Sequence, residues 1–135
     1  CDEVGSDEWT PKFIGPVVMS LDSMQSRENT WKFVKNKPYV PLMIDVRLAG
    51  QSIVIYSVDP CDPQDIKQYE NTLHADEESV GQSCTERGVI DVGFQVGSLV
   101  SRMVRKHFNS QEVPKITMFE QGSLSVVPGA WVEEL

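Results

Sequence analysis

The sequence predicts an α+β fold in which an antiparallel sheet of hairpins packs against one long helix. Two alternating, β-branched runs flank a short connection that contains glycine, which predicts a hairpin at about residues 43–58. A second pair of short apolar runs, joined by a Gln-Gly turn, predicts another hairpin at about 115–127. Between them, apolar residues recur every three or four positions from about 91 to 108, as in a helix with one buried stripe.

The segment before the first hairpin is predicted to be extended or looped. Residues 13–21 are typical of a strand, and Pro16 lacks a backbone donor, so this strand is expected at an edge of the sheet or after a bend. Residues 22–29 are polar and predict a loop with at most a short helical turn. Trp31, Phe33 and Val34 alternate well enough to predict a second short strand.

The first hairpin divides its side chains between two faces of the sheet. Ile44, Val46 and Leu48 share one face, and Asp45 and Arg47 share the other. After this hairpin, a shorter helix is predicted at about 63–73. It has Asp62 as N-cap and Pro63 at its first position, and its buried face consists of Ile66, Tyr69 and Leu73.

The long helix has an alternative interpretation. Residues 90–96 also alternate as in a strand, and Gly93 and Gly97 keep open a strand followed by a shorter helix. If the segment is helical throughout, the two glycines permit a close helix contact, which we expect to be with the protein's own sheet. The chain is predicted to consist of an acidic tether at 1–11 and a single α+β domain at 12–135.

Charge and cysteine spacing exclude several classes of function. The net charge of −8 repels a phosphate backbone, so nucleic acid is not an expected partner. No C-x-x-C pair occurs and the two histidines are far apart in sequence, so no metal site or cofactor is expected. A disulfide between Cys61 and Cys84 would stabilise the fold by about 3 kcal/mol. Two reduced, buried thiols are the open alternative.

Other polar residues give no recognisable catalytic pattern. Asp59, Asp62 and Asp65 lie three apart but lack the ligand spacing of a calcium loop. Neither His74 nor His107 has a nucleophile or carboxylate at a known motif spacing, so the chain is predicted not to be an enzyme.

Two features are candidates for contact with a partner. Trp9 lies where the tether meets the domain, and tryptophan is common as an interface anchor. The acidic run Asp76, Glu77 and Glu78 could enter a basic groove, although such runs are usually solvated loops. Of the three tryptophans, at least two are expected in the core.

The first residues carry a resemblance to a known class. Cys1 followed by a polar leader rich in acids resembles the mature start of the bacterial lipoproteins. The resemblance implies that the Cys1 thiol carries a diacylglycerol, which would place the domain in the periplasm at a membrane. Asp2, with Glu3, resembles the inner-membrane retention signal of the enterobacterial members, and the outer membrane is the alternative location. An arbitrary boundary within a longer protein is the alternative interpretation of Cys1.

These observations predict a non-enzymatic, membrane-anchored envelope lipoprotein that binds a protein partner, as an assembly factor, adaptor or secretion-system accessory. Its layout loosely resembles the small secretion pilotins, an analogy of architecture alone. One alternative is an acidic inhibitor or immunity protein that blocks a basic enzyme site, and another is a small ligand carrier. An open sheet edge or apolar groove would favour the adaptor, a closed cavity the carrier, and a convex acidic protrusion the inhibitor.

Overall fold

The computed structural model describes residues 12–49, 52–73, 89–120 and 122–131. Five strands and three helices follow one another along the chain: β1 (Val17–Met19), α1 (Met24–Val34), β2 (Met43–Ala49), β3 (Ser52–Val58), α2 (Pro63–Thr72), α3 (Val89–Phe108), β4 (Ile116–Glu120) and β5 (Ser125–Gly129). The predicted α+β class is confirmed.

The strands form one sheet in the order β1-β2-β3-β4-β5. Both predicted hairpins are present: β2 pairs antiparallel with β3, and β4 pairs antiparallel with β5. The β3–β4 pair is also antiparallel, but β1 lies parallel to β2, so the expectation of a purely antiparallel sheet is wrong at this edge. Parallel neighbours need a crossover connection, and α1 supplies it between β1 and β2.

The crossover helix α1 corrects the prediction of a loop and a short strand between residues 22 and 34. The Ser23 side chain caps the helix by accepting a hydrogen bond from the Ser26 N–H. The buried residues of α1 recur every three or four positions, which is the period of a helix. They are Arg27, Thr30, Trp31 and Val34. The pattern was missed because two members of this buried face are polar.

The two other helices lie where the sequence placed them. At the start of α2, the Asp62 side chain accepts from the Gln64 N–H at 2.9 Å, and Pro63 occupies the first turn. The helix α3 runs through both glycines, so the alternative of a strand in this segment is wrong. Gly93 and Gly97 are exposed, and a Cβ at either would meet no atom within 4 Å. The expectation that they pack on the sheet is therefore also wrong.

Helices cover both faces of the sheet and produce two apolar clusters. One face packs against α1 and α2, and its cluster consists of Val17, Met19, Trp31, Val34, Val40, Met43, Val58, Tyr69 and Leu73. The opposite face packs against α3, and its cluster consists of Leu42, Ile44, Val46, Ile53, Ile55, Met103 and Phe119. Because β2 and β3 are covered on both sides, polar residues on either face of β2 must find partners inside the protein.

Candidate functional site

Most of the predicted site residues lie outside the described part of the chain. These are Cys1, Trp9, Asp76, Glu77, Glu78 and Cys84. Lipidation of Cys1 and partner binding by Trp9 or the acidic run therefore stay predictions. Cys61 is exposed, and its pairing with Cys84 also stays a prediction, since Cys84 lies outside the described residues. Of the other tryptophans, Trp31 is buried and Trp131 is half-buried against the same core.

Cys61 lines an open, water-accessible pocket of about 450 Å³ beside α2. Its lining combines the charged residues Lys35, Lys67 and Glu70 with apolar surface, including that of Pro63 and Ile66. The Lys35 ammonium pairs with Glu70 at 2.5 Å, and the same carboxylate oxygen accepts from the Trp31 indole N–H at 3.2 Å. This pocket is open to solvent and does not lie between the sheet and α3, so it gives no specific support to a ligand carrier.

The most concentrated polar chemistry of the described residues is a buried cluster centred on Asp45. The Asp45 carboxylate is fully buried and accepts three hydrogen bonds. Arg27 Nε donates to Oδ1 at 3.0 Å, while Arg47 Nε and the Tyr69 hydroxyl donate to Oδ2 at 2.9 and 2.8 Å. The cluster joins three elements, since Arg27 belongs to α1, Asp45 and Arg47 belong to β2, and Tyr69 belongs to α2.

Further donors of the two arginines are also occupied. Arg27 donates to the carbonyl oxygens of Leu21 and Val46, and Arg47 donates to the backbone and hydroxyl oxygens of Thr72. The Arg47 guanidinium also lies 4.7 Å from the centre of the Tyr56 ring. These contacts tie the sheet to the helices, and we assign the cluster a structural role.

Protonation in this cluster follows from burial and from the Asp45 charge. Burial acts to lower the pKa of Arg47, but the charge and hydrogen bond of Asp45, together with Tyr69 and Tyr56, outweigh it, and the pKa is raised. Burial and the Asp45 charge raise the pKa of Tyr69, against the opposing effect of Arg47. Arg47 therefore stays charged and Tyr69 stays protonated, so that both donate to the carboxylate.

A second buried carboxylate fixes the base of the β4–β5 hairpin. Asp65 is almost completely buried and accepts from the Asp59 N–H at 2.8 Å, from Lys115 Nζ at 2.6 Å and from Trp131 Nε1 at 2.9 Å. Lys115 directly precedes β4, and Trp131 follows β5 by two residues. The Trp131 ring also stacks on Tyr56, with centroids 6.0 Å apart.

The three aspartates near Cys61 are thus accounted for by local structure. Asp62 caps α2, Asp65 holds the hairpin base, and Asp59 accepts from the Cys61 N–H at 2.9 Å. Among the described residues, no group of three or more histidine, cysteine, aspartate or glutamate side chains is placed to hold a metal ion.

Beyond this base, the hairpin exposes apolar side chains on both of its faces and at its turn, which together we call the hairpin surface. Its members are Met118, Leu124, Val126 and Val127. Leu124 is 77% exposed, the other three are about half exposed, and every residue of β5 is exposed. Sequence reasoning missed this surface because apolar residues in a strand usually indicate a core face. The adjacent pair Val126-Val127 was the available signal, since neighbours in a strand point to opposite faces.

Leu124 has an unfavourable backbone conformation in addition to an exposed side chain. Its φ is +56°, in the left-handed region that costs a residue with a Cβ roughly 1–2 kcal/mol. Glycine or asparagine at this position would avoid most of that cost. The hairpin thus places a large apolar residue where neither the backbone nor burial favours it.

The free edge of β5 is poorly suited to pairing with another strand. Pro128 lies opposite Thr117 and has no N–H, so this pair cannot exchange both ladder hydrogen bonds. By the alternation of the ladder, Pro128 and Val126 direct their nitrogens toward the free edge. Proline there removes a donor that an added strand would need. A partner at this hairpin would therefore contact side chains rather than extend the sheet.

Comparison with known proteins adds no relative. No family model matches the chain, and no significant match occurs among curated proteins or solved structures. In the described ranges, no helix combines the length and the apolar character needed to cross a membrane.

Proposed function

We propose that this chain is a non-enzymatic, lipid-anchored adaptor of the bacterial cell envelope that binds a protein partner through the hairpin surface. The observation that carries the proposal is the exposure of Leu124 on a backbone with positive φ. The left-handed conformation of Leu124 costs folding free energy, and the exposed side chain does not offset that cost by burial in the isolated chain. Contact with a partner would give this side chain the burial that it lacks in the isolated chain.

The base of the hairpin supports this role because it is fixed on a buried group. Asp65 holds both Lys115 and Trp131, which flank the hairpin in sequence. A surface held in this way is ordered before binding, so less conformational entropy is lost when a partner docks. The exposed apolar side chains are the type of contact that forms the centre of protein interfaces.

The role of the hairpin is tested with Leu124→Asn. Asparagine tolerates the left-handed conformation, so the free energy of unfolding should stay the same or rise by up to about 1 kcal/mol. Affinity capture of the partner from native envelopes should be lost. Ile14→Asn is the matched control, since Ile14 is 80% exposed and lies away from the hairpin in sequence and in the sheet. Equal capture by wild type and Leu124→Asn would reject the hairpin as the binding surface.

The lipid anchor is tested separately. Mass spectrometry of the natural protein should find a diacylglycerol on the Cys1 sulfur, and Cys1→Ser should move the protein from the membrane to the soluble fraction. An unmodified sulfur, a polypeptide that extends upstream of Cys1, or identical fractionation of both proteins would reject the anchor. Each of these results leaves the test of the hairpin intact.

A further inference from the structure

The helix α3 has an exposed face opposite the stripe that packs on the sheet. We call it the α3 outer face, and it consists of Phe94, Ser98, Ser101, Arg102, Arg105 and Phe108, all exposed. Their spacing of three and four positions places them along one side of the helix. Phe94 is 77% and Phe108 is 69% exposed, so two large rings face water at either end of this side.

The charge along this face is positive, opposite in sign to the net charge of the chain. From Val92 to Gln111 the sequence contains no aspartate or glutamate, but it contains Arg102, Arg105 and Lys106. The negative end of the helix dipole offsets about half a charge, which leaves the C-terminal half of α3 clearly positive. The chain as a whole carries −8, so its charge is strongly segregated.

We propose that the α3 outer face lies on the surface of an anionic lipid bilayer. Phe94 and Phe108 are fourteen positions apart, which corresponds to about 21 Å along a helix. The side chains between them on the same line, Ser98 and Ser101, are short, so the rings and guanidinium groups project furthest. A long, flat arrangement of this kind suits a planar interface, where rings enter the headgroup region and arginines meet lipid phosphates.

The net charge of the chain does not oppose this contact at physiological salt. Electrostatic interactions in water are screened over about 8 Å, so the charges nearest to the membrane decide the sign of the interaction. The exposed lysines Lys32 and Lys67 belong to α1 and α2, on the other face of the sheet. They cannot touch the bilayer at the same time as the α3 outer face.

This inference goes beyond the proposed adaptor role and does not use the hairpin surface. A weak, reversible contact between α3 and lipid would orient a domain that is tethered at Cys1, because two membrane signals hold a protein more firmly than one. This contact would also orient the chain, whose net charge is −8, with the positively charged side of α3 toward the membrane.

The test uses the full 135-residue chain carrying Cys1→Ser, so that no acyl chain contributes to binding. Co-sedimentation is measured with phosphatidylcholine vesicles and with vesicles that also contain phosphatidylglycerol. We expect binding only to the anionic vesicles, and weaker binding when NaCl rises from about 0.05 to about 0.5 M. Each cation at an anionic surface changes the partition coefficient between water and membrane about fivefold. The double variant Arg102→Glu/Arg105→Glu should therefore lower this coefficient by at least about 25-fold.

Two further variants separate the face from net charge and from the rings. Lys32→Glu/Lys67→Glu changes the net charge equally on the other side of the sheet and should keep most of the binding. Phe94→Ser/Phe108→Ser should bind more weakly, with an unchanged thermal unfolding curve because both rings are exposed.

Three results would overturn the proposal. The first is no sedimentation of the Cys1→Ser chain with anionic vesicles at low salt. The second is an equal loss of binding in the lysine and arginine variants. The third is binding to soluble polyglutamate without binding to vesicles, which would assign the face to an acidic protein. None of these results bears on capture by the hairpin, so the two proposals fail independently.

Discussion

Replacing Asp45 by asparagine removes the negative charge that two buried guanidinium groups face. The side chains of Arg27 and Arg47 are only 9% and 8% exposed, so water cannot take over the role of the carboxylate. The asparagine side chain has one oxygen, which can accept hydrogen bonds either from Arg27 or from Arg47 and Tyr69. Its amide nitrogen is a donor, and it would face the donors on the other side of the cluster. The variant therefore leaves buried positive charge without a counter-charge.

The magnitude follows from the cost of breaking a buried ion pair. Removing one partner typically destabilises a protein by about 3–5 kcal/mol, and here the Tyr69 hydroxyl can lose its acceptor as well. A protein of this size is stable by about 5–15 kcal/mol, so Asp45→Asn should consume a large part of that stability. With a urea m-value of about 2 kcal/mol/M, a loss of 4 kcal/mol lowers the midpoint by about 2 M.

Urea denaturation followed by circular dichroism measures this change. Asp22→Asn is the matched control, since Asp22 is exposed, and its midpoint should stay within about 0.3 M of wild type. Replacing the whole trio by Arg27→Met/Asp45→Leu/Arg47→Met should be less harmful than Asp45→Asn alone, because it leaves no unpaired charge. A loss below about 1 kcal/mol for Asp45→Asn would show that this reasoning about burial is wrong.

Three other variants test contacts elsewhere in the structure. Asp65→Ala leaves the donors of Lys115 and Trp131 without their acceptor, and should cost about 2–3 kcal/mol in urea denaturation, with a change in tryptophan fluorescence. Asp62→Ala removes the cap of α2 and should cost about 1 kcal/mol by the same method; no change would mean that the cap is replaced by solvent. Tyr69→Phe tests the raised pKa of this hydroxyl. The folded protein retains the Tyr69 proton above pH of about 10 while the unfolded chain loses it, so stability should fall with rising pH by up to about 1.4 kcal/mol per unit. Tyr69→Phe should lose this contribution to the slope, and an unchanged slope would contradict the assignment.

The candidate surfaces were less accessible to sequence reasoning than the fold was. The predicted contacts at Trp9 and Asp76–Glu78 lie outside the described residues. The two surfaces proposed here include Phe108, which the apolar period placed in the buried stripe of the long helix, and residues of the second predicted hairpin. Whether Val127 or Phe108 is covered depends on which elements lie beside it. The adjacent pair Val126-Val127 shows only that this strand has apolar residues on both faces, and not which face is covered.

Some features of this protein were determined by short stretches of sequence. The hairpin of β2 and β3 follows from alternating β-branched residues around a short turn, and α2 follows from the Asp62-Pro63 start signal. The period of apolar residues was sufficient to find α3 despite two glycines. In each case the signal lies within a few residues, because turns, caps and helical periodicity are local properties of the backbone.

The tertiary structure decided what lies inside and what lies outside. The α1 helix was hidden because Arg27 counts as polar in sequence, yet its charge is buried against Asp45 on a strand eighteen residues away. The parallel placement of β1 depends on that same helix, and Gly93 and Gly97 face solvent because α3 turns its other side to the sheet. Burial and pairing are set by contacts between distant segments, whose free energy exists only once the chain has folded.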